Sequence, residues 1–165
     1  MLELIIVIII LGILSVSAAS RFSGSSGYAE YTYQARLISS LRHMQQRAMQ
    51  DTRLGYCFQV NFLASPAAFG PPTLSYDTAA TGSSCDGNID FSNPDYLRTA
   101  PNEMADESVT FGTLPFTYLG FDNLGRPLTD AAGVANCASG CQLEFVGEET
   151  LSICIESQGY IHACS

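Results

Sequence analysis

Residues 4–14 are aliphatic at every position except Gly12, and the small residues of 15–19 follow before the first positive charge at Arg21. A run with no polar face predicts a helix that is apolar all round. It is marginally short of the ~20 residues that a membrane span needs. Residues 23–27 are serine and glycine only, a breaker-rich stretch that either loosens the helix or acts as a plain linker. The helical period resumes at Tyr28. Leu37, Leu41, Met44 and Ala48 recur at i, i+4, i+7 and i+11, with Ile38 beside them and Arg36, Arg42 and Arg47 on other faces. That spacing predicts an amphipathic helix whose apolar stripe packs on a sheet. Leu54 and Gly55 mark its stop. If the two helical stretches are nearly continuous, they extend about 75–80 Å at 1.5 Å per residue.

Beyond Gly55 the period changes. Residues 56–62 alternate like a strand, and residues 73–77 are expected to return beside them after a loop containing Pro66, Gly70, Pro71 and Pro72. Residues 79–106 are turn-rich. Residues 109–111 and 116–119 read as further strands, and 121–127 as a turn-centred motif. Residues 143–145, 151–155 and 160–162 suggest a closing antiparallel meander with turns at 147–149 and 157–159. Helix first and strands after indicates α+β, a long N-terminal helix packed on an antiparallel sheet. Three segments follow: an apolar helix for a membrane or a filament core over 1–20, its amphipathic continuation over 21–54, and a β-rich head over 55–165.

Composition adds charge and compartment. The 165-residue chain has no lysine, seven arginines and a net charge of −9. Past Leu54 only Arg98 and Arg126 are basic, so the head is strongly acidic. Phosphate neutralisation needs clustered Lys or Arg, and no nucleic-acid partner is expected. The six cysteines, at 57, 85, 137, 141, 154 and 164, all fall outside the apolar segment. An even number in a small head indicates an oxidising compartment and disulfides. Six cysteines allow 15 pairings. One choice joins Cys57 to Cys85 around the first hairpin and its loop, Cys154 to Cys164 face to face across a terminal hairpin with a three-residue loop, and Cys137 to Cys141 in a tight local loop. The main alternative is Cys141–Cys154 with Cys137–Cys164. Metal binding is the rival use, but no Cys-x-x-Cys occurs and only His43 and His162 could add nitrogen ligands. Both histidines read as structural, one in the amphipathic helix and one in the last strand. The acidic loop 86–95 lacks the spacing of an EF-hand and reads as solvated. Gly24 and Gly27 lack the strand-to-helix setting of a phosphate loop. No catalytic residue, metal or cofactor is expected.

Glu3 is the one charge ahead of Arg21. A secretory signal peptide has an apolar core of this length, and residues 17–19 would pass as its cleavage site, but it begins with Lys or Arg. A carboxylate drawn into lipid costs roughly 2–4 kcal/mol. Glu3 therefore either stays at the interface or has a cationic partner. Residues 1–15, with Glu3, the aliphatic run and Gly12, resemble the N-terminus of type IV pilins and type II secretion pseudopilins. The Leu-x-x-x-Leu-Arg-x-x-Gln-x-Arg-Ala pattern of 37–48, the 121–127 motif and the strand pair around Gly159 are similar to the GspH/FimT group of minor pilins. Within it the likeness is greatest to the minor pilin of the mannose-sensitive haemagglutinin (MSHA) pilus.

The resemblance implies a pilin-like fold and a structural role in pilus assembly, initiation or surface attachment. It implies that Glu3 sets axial register, and that Leu4, Ile5, Val7, Ile8, Leu11 and Leu14 pack helix against helix. Leu37, Leu41, Met44 and Ala48 would pack the head. The implied partners are other major and minor pilin subunits, an inner-membrane assembly platform and a prepilin peptidase. The implied location is the inner membrane, head in the periplasm, and then the extracellular pilus. It also implies a basic leader and a cleavage glycine ahead of Met1. The chain departs from the family in having no proline near residues 18–22. A secretion pseudopilus subunit is the neighbouring alternative; the cysteines and the likeness of the head favour the pilus. A membrane-tethered periplasmic binding module is the alternative from another class, and a simple anchor has no need of Glu3.

Overall fold

A computed structural model describes residues 2–22, 26–51, 56–72, 85–130 and 137–164, with backbone alone for 2, 16–22 and 26. Its first helix, α1, covers Leu2–Phe22. A single 3-10 turn, Ser26–Tyr28, leads into α2, Ala29–Gln50. Leu37, Leu41, Met44 and Ala48 lie on the buried face of α2, together with Tyr33, Ser40 and Glu30. The helix ends sooner than expected. Asp51 turns extended and its N–H bonds the Arg47 carbonyl at 2.8 Å, while the anticipated stop at 54–55 lies outside the described residues.

The architecture is α+β, with antiparallel strands throughout. The strands are β1 Gln59–Ala64, β2 Ala67–Gly70, β3 Thr110–Phe111, β4 Tyr118–Phe121, β5 Pro127–Thr129, β6 Cys141–Val146, β7 Thr150–Ile155 and β8 Ile161–Ala163; a short helix, α3 Glu103–Asp106, precedes β3. They form two four-stranded sheets, ordered β2-β1-β4-β5 and β3-β6-β7-β8, instead of one. A single core joins them. Val60, Phe62 and Leu119 from the first sheet and Leu143, Phe145 and Ile153 from the second meet the buried stripe of α2. Phe62, Phe111 and Phe145 are linked ring to ring, with centroids 5.7 Å and 5.2 Å apart, separations at which aromatic pairs attract.

Three expectations change. The partner of β1 is Ala67–Gly70, taken from the stretch read as a loop, and residues 73–77 lie outside the described residues. A tight turn at Ser65 and Pro66 pairs Ala64 with Ala67. Both faces of β1 are buried, so Gln59 and Asn61 are buried as fully as Val60 and Phe62. Asn61 Nδ2 donates to the carbonyls of Asp86 and Asn88, each at 2.9 Å, and so ties the 85–90 segment over the outer face. Last, Cys154 faces His162, not Cys164. The turn 157–159 closes on a Glu156 N–H to Tyr160 carbonyl bond of 2.9 Å, which sets the register two positions from the one expected. The strand Pro127–Thr129 was not foreseen; a short segment opening on proline gives little alternation to read.

Candidate functional site

The first candidate is α1. Ten large aliphatic side chains between Leu4 and Leu14 are each about half exposed, from 49% at Ile6 to 67% at Leu4. Gly12 has open space where a Cβ would stand. Soluble monomers seldom expose contiguous apolar surface beyond a few hundred Å², and here the surface surrounds the helix. Among the described residues no helix is long and apolar enough to cross a membrane. Glu3 lies in the first turn of α1 and is exposed, where a helix N-terminus favours negative charge. Leu4, Ile5, Val7, Ile8, Leu11 and Leu14 thus point outward on every side, and the head covers none of them.

The second candidate is the way α2 grips both sheets. Near its C-terminal end, Gln45 directs one amide nitrogen at two carbonyls: Gly125 at 2.8 Å, in the β4–β5 turn, and Gly159 at 2.7 Å, in the β7–β8 turn. Each turn belongs to a different sheet. Gly125 and Gly159 hold φ of +79° and +89°, a conformation that glycine adopts without strain. A Cβ on Gly159 would collide with the Gly125 carbonyl and with Gln45 Nε2. Asp122 shapes the first turn: its Oδ1 accepts the N–H groups of Leu124 and Arg126 at 2.9 and 2.8 Å, and its Oδ2 pairs with the Arg126 guanidinium at 2.7 Å. Burial works against that carboxylate, but these donors hold it below the usual carboxylate range.

At the other end of α2, Glu30 is buried, 1% exposed. Its Oε1 accepts the N–H of Glu148 at 2.5 Å and of Glu149 at 3.3 Å, in the β6–β7 turn. Glu30's own backbone N–H, and against the cost of burial those of Glu149 and Glu148, keep it ionised to lower pH than an ordinary glutamate. Tyr31 donates to Glu149 Oε2 at 2.9 Å. Arg36 pairs with Glu103 at 2.8 Å, and Ser40 donates to the Leu97 carbonyl at 2.8 Å, so the 97–103 segment lies along one flank of the helix. Glu30 and Gln45 escaped sequence reasoning because a polar residue beside an apolar stripe looks solvated until its partner is known. The available signals were Gln45 within the 37–48 pattern and the glycine-centred turns.

The cysteines pair as Cys57–Cys85, Cys137–Cys141 and Cys154–Cys164, with Cα atoms 5.9, 4.7 and 5.2 Å apart. The last runs diagonally, since His162 holds the position opposite Cys154. His162 stacks on Tyr160 at 4.8 Å between centroids and lies 3.3 Å from Glu156 Oε1. His43 meets the edge of Tyr96 at 6.2 Å; burial first, and Arg47 next, push its pKa down. In the acidic loop, Asp86 caps Asn88 and Asp90 caps Ser92 through their own turns. Among the described residues no group of His, Cys, Asp and Glu is arranged to hold a metal ion. Comparison with protein-family models, curated proteins and solved structures finds no match to this chain.

Proposed function

We propose that this chain is a structural subunit of a bacterial type IV pilus-like filament, a minor pilin of the MSHA kind. The observation that carries the reading is α1, an aliphatic helix exposed on every face from Leu4 to Leu14, with Glu3 in its first turn. Such a surface needs an apolar environment. The inner membrane supplies it first, and the α1 helices of other subunits supply it afterwards, at roughly 25 cal/mol per Å² removed from water. The head suits the outside of a filament. Its α2 stripe is buried, none of the described side chains of α1 enters its core, and its cysteines are paired as an oxidising compartment allows. The 37–48 pattern, the 121–127 motif and the Gly159 turn, on which the resemblance rests, meet at Gln45. That convergence supports the pilin-like fold as more than a shared order of elements.

The test is fractionation. A tagged full chain, expressed in a host carrying its neighbouring genes, should appear with sheared surface filaments. It should remain in the inner membrane when the assembly platform is deleted. Retention in the membrane with the platform intact would leave the tethered binding module as the better reading. Recovery only with a periplasm-spanning secretion apparatus would make it a pseudopilin.

A further inference from the structure

Two stretches of surface along α2 differ in charge. Between α2 and the edge strand β8 runs an open groove of about 540 Å³, whose lining includes Ile38, Arg42, His43, Gln46 and His162 and no carboxylate. Arg42 is exposed; one guanidinium nitrogen donates to the Ile161 carbonyl at 2.7 Å. Glu156 stands at its rim, 3.3 Å from His162 Nε2. On a chain of net charge −9, a groove whose described lining holds an arginine and two imidazoles, with a carboxylate only at its rim, stands out.

The opposite character gathers around the start of α2. Two shallow depressions there, of about 260 and 340 Å³, share Glu107 and are bordered by Glu103, Asp106 and Glu148. Glu103 is engaged by Arg36. Asp106, Glu107 and Glu148 are exposed. From Ala29 to Arg42 the helix rises about 20 Å at 1.5 Å per residue, so the groove is beyond reach of its own chain's acidic end. A neighbour displaced along the helix meets no such limit.

We propose that the α2–β8 groove receives the acidic end of a second copy of this chain, with Arg42 set against Asp106, Glu107 and Glu148. The proposal rests on the filament reading and deepens it. A head-to-tail contact of this kind uses different patches on the two partners, and with a rotation that closes no ring it propagates as an open helical array. The chain then has at least one further copy of itself as a neighbour in the filament.

The full-length protein, in sheared filaments and in detergent-solubilised membranes, would carry a benzophenone amino acid in place of Gln46, an exposed groove residue. The proposal expects an adduct of two copies, its cross-linked peptide lying within 103–108 or 146–150 of the second. Arg42→Glu should lower the yield at least fivefold, and Glu107→Arg in the second copy should restore it. Glu107→Arg alone, at an exposed position away from the groove, should lower the yield as much and guards against a folding artefact of the first variant. Adducts elsewhere in the second copy, adducts to a different protein, no adduct, or a yield indifferent to both charge reversals would each overturn the pairing. Filament entry without the adduct leaves the filament reading standing. Exclusion from filaments, with the adduct formed in membranes, sinks that reading and keeps the pairing.

Discussion

At the scale of single residues, polar groups with one fixed partner set the geometry of the head. Gly159 is the most constrained. Its φ of +89° and the lack of room for a Cβ beside Gly125 and Gln45 mean that Gly159→Ala must move a turn that holds two sheets on one helix. A cost of about 1–3 kcal/mol is expected, measurable as a lower midpoint in denaturant with an unchanged slope. Glu30 couples the fold to pH. Its pKa lies below the ordinary 4.5 in the folded chain. The stabilisation is therefore complete above that ordinary value and fades as pH falls through the folded one. Glu30→Gln, which leaves the N–H groups of Glu148 and Glu149 with a weaker acceptor, should cost about 1–3 kcal/mol at neutral pH. The gap from the wild type should narrow in acid. Unfolding curves across pH 7 to 3 check it, and a gap constant with pH would mean that Glu30 is not held as the charged form.

At the scale of elements, α2 is the part that residue order alone made plain. A 3.6-residue period places Leu37, Leu41, Met44 and Ala48 on one face whatever lies opposite, and that face is the buried one. Leu41 is fully enclosed where the two sheets meet the helix. Leu41→Ala should cost about 2–5 kcal/mol, seen as a lower thermal midpoint of the head. The closing meander was equally legible, because β6 and β7 alternate and their turns are rich in glycine and acids. The β1–β2 hairpin was not. Ala67–Gly70 lies among prolines and glycines, and it is a strand because it folds back on β1, with the 97–99 segment tied to its other side: the Thr99 N–H donates to the Phe69 carbonyl at 3.0 Å. Long-range pairing of that kind leaves no local period. The terminal disulfide shows a subtler limit. Two cysteines ten apart can bridge a hairpin directly or diagonally, and only the turn decides which.

At the scale of the whole molecule, α1 and the head make separate demands. The head buries its own core, while α1 exposes its aliphatic surface to whatever surrounds it. Apolar packing among such helices is non-directional and tolerates axial slippage, whereas one carboxylate in an apolar bundle does not, since leaving it unpaired is expensive. A buried polar residue fixes register in coiled coils for the same reason. Glu3→Val should accordingly leave head stability and membrane fractionation unchanged while cutting incorporation into sheared filaments severalfold; normal incorporation would place Glu3 at the interface, without a role in register. A last consequence concerns tension. A chain held at α1 and pulled at its head can lengthen only by the stretches outside its disulfide loops. Cys57–Cys85 encloses a separation of 28 residues, about 100 Å of contour at some 3.5 Å per residue. In a force–extension trace of the oxidised protein that length should be missing, and thiol reduction should return it. With that staple closed, the chain between Cys57 and Cys85 contributes nothing to the extension under load.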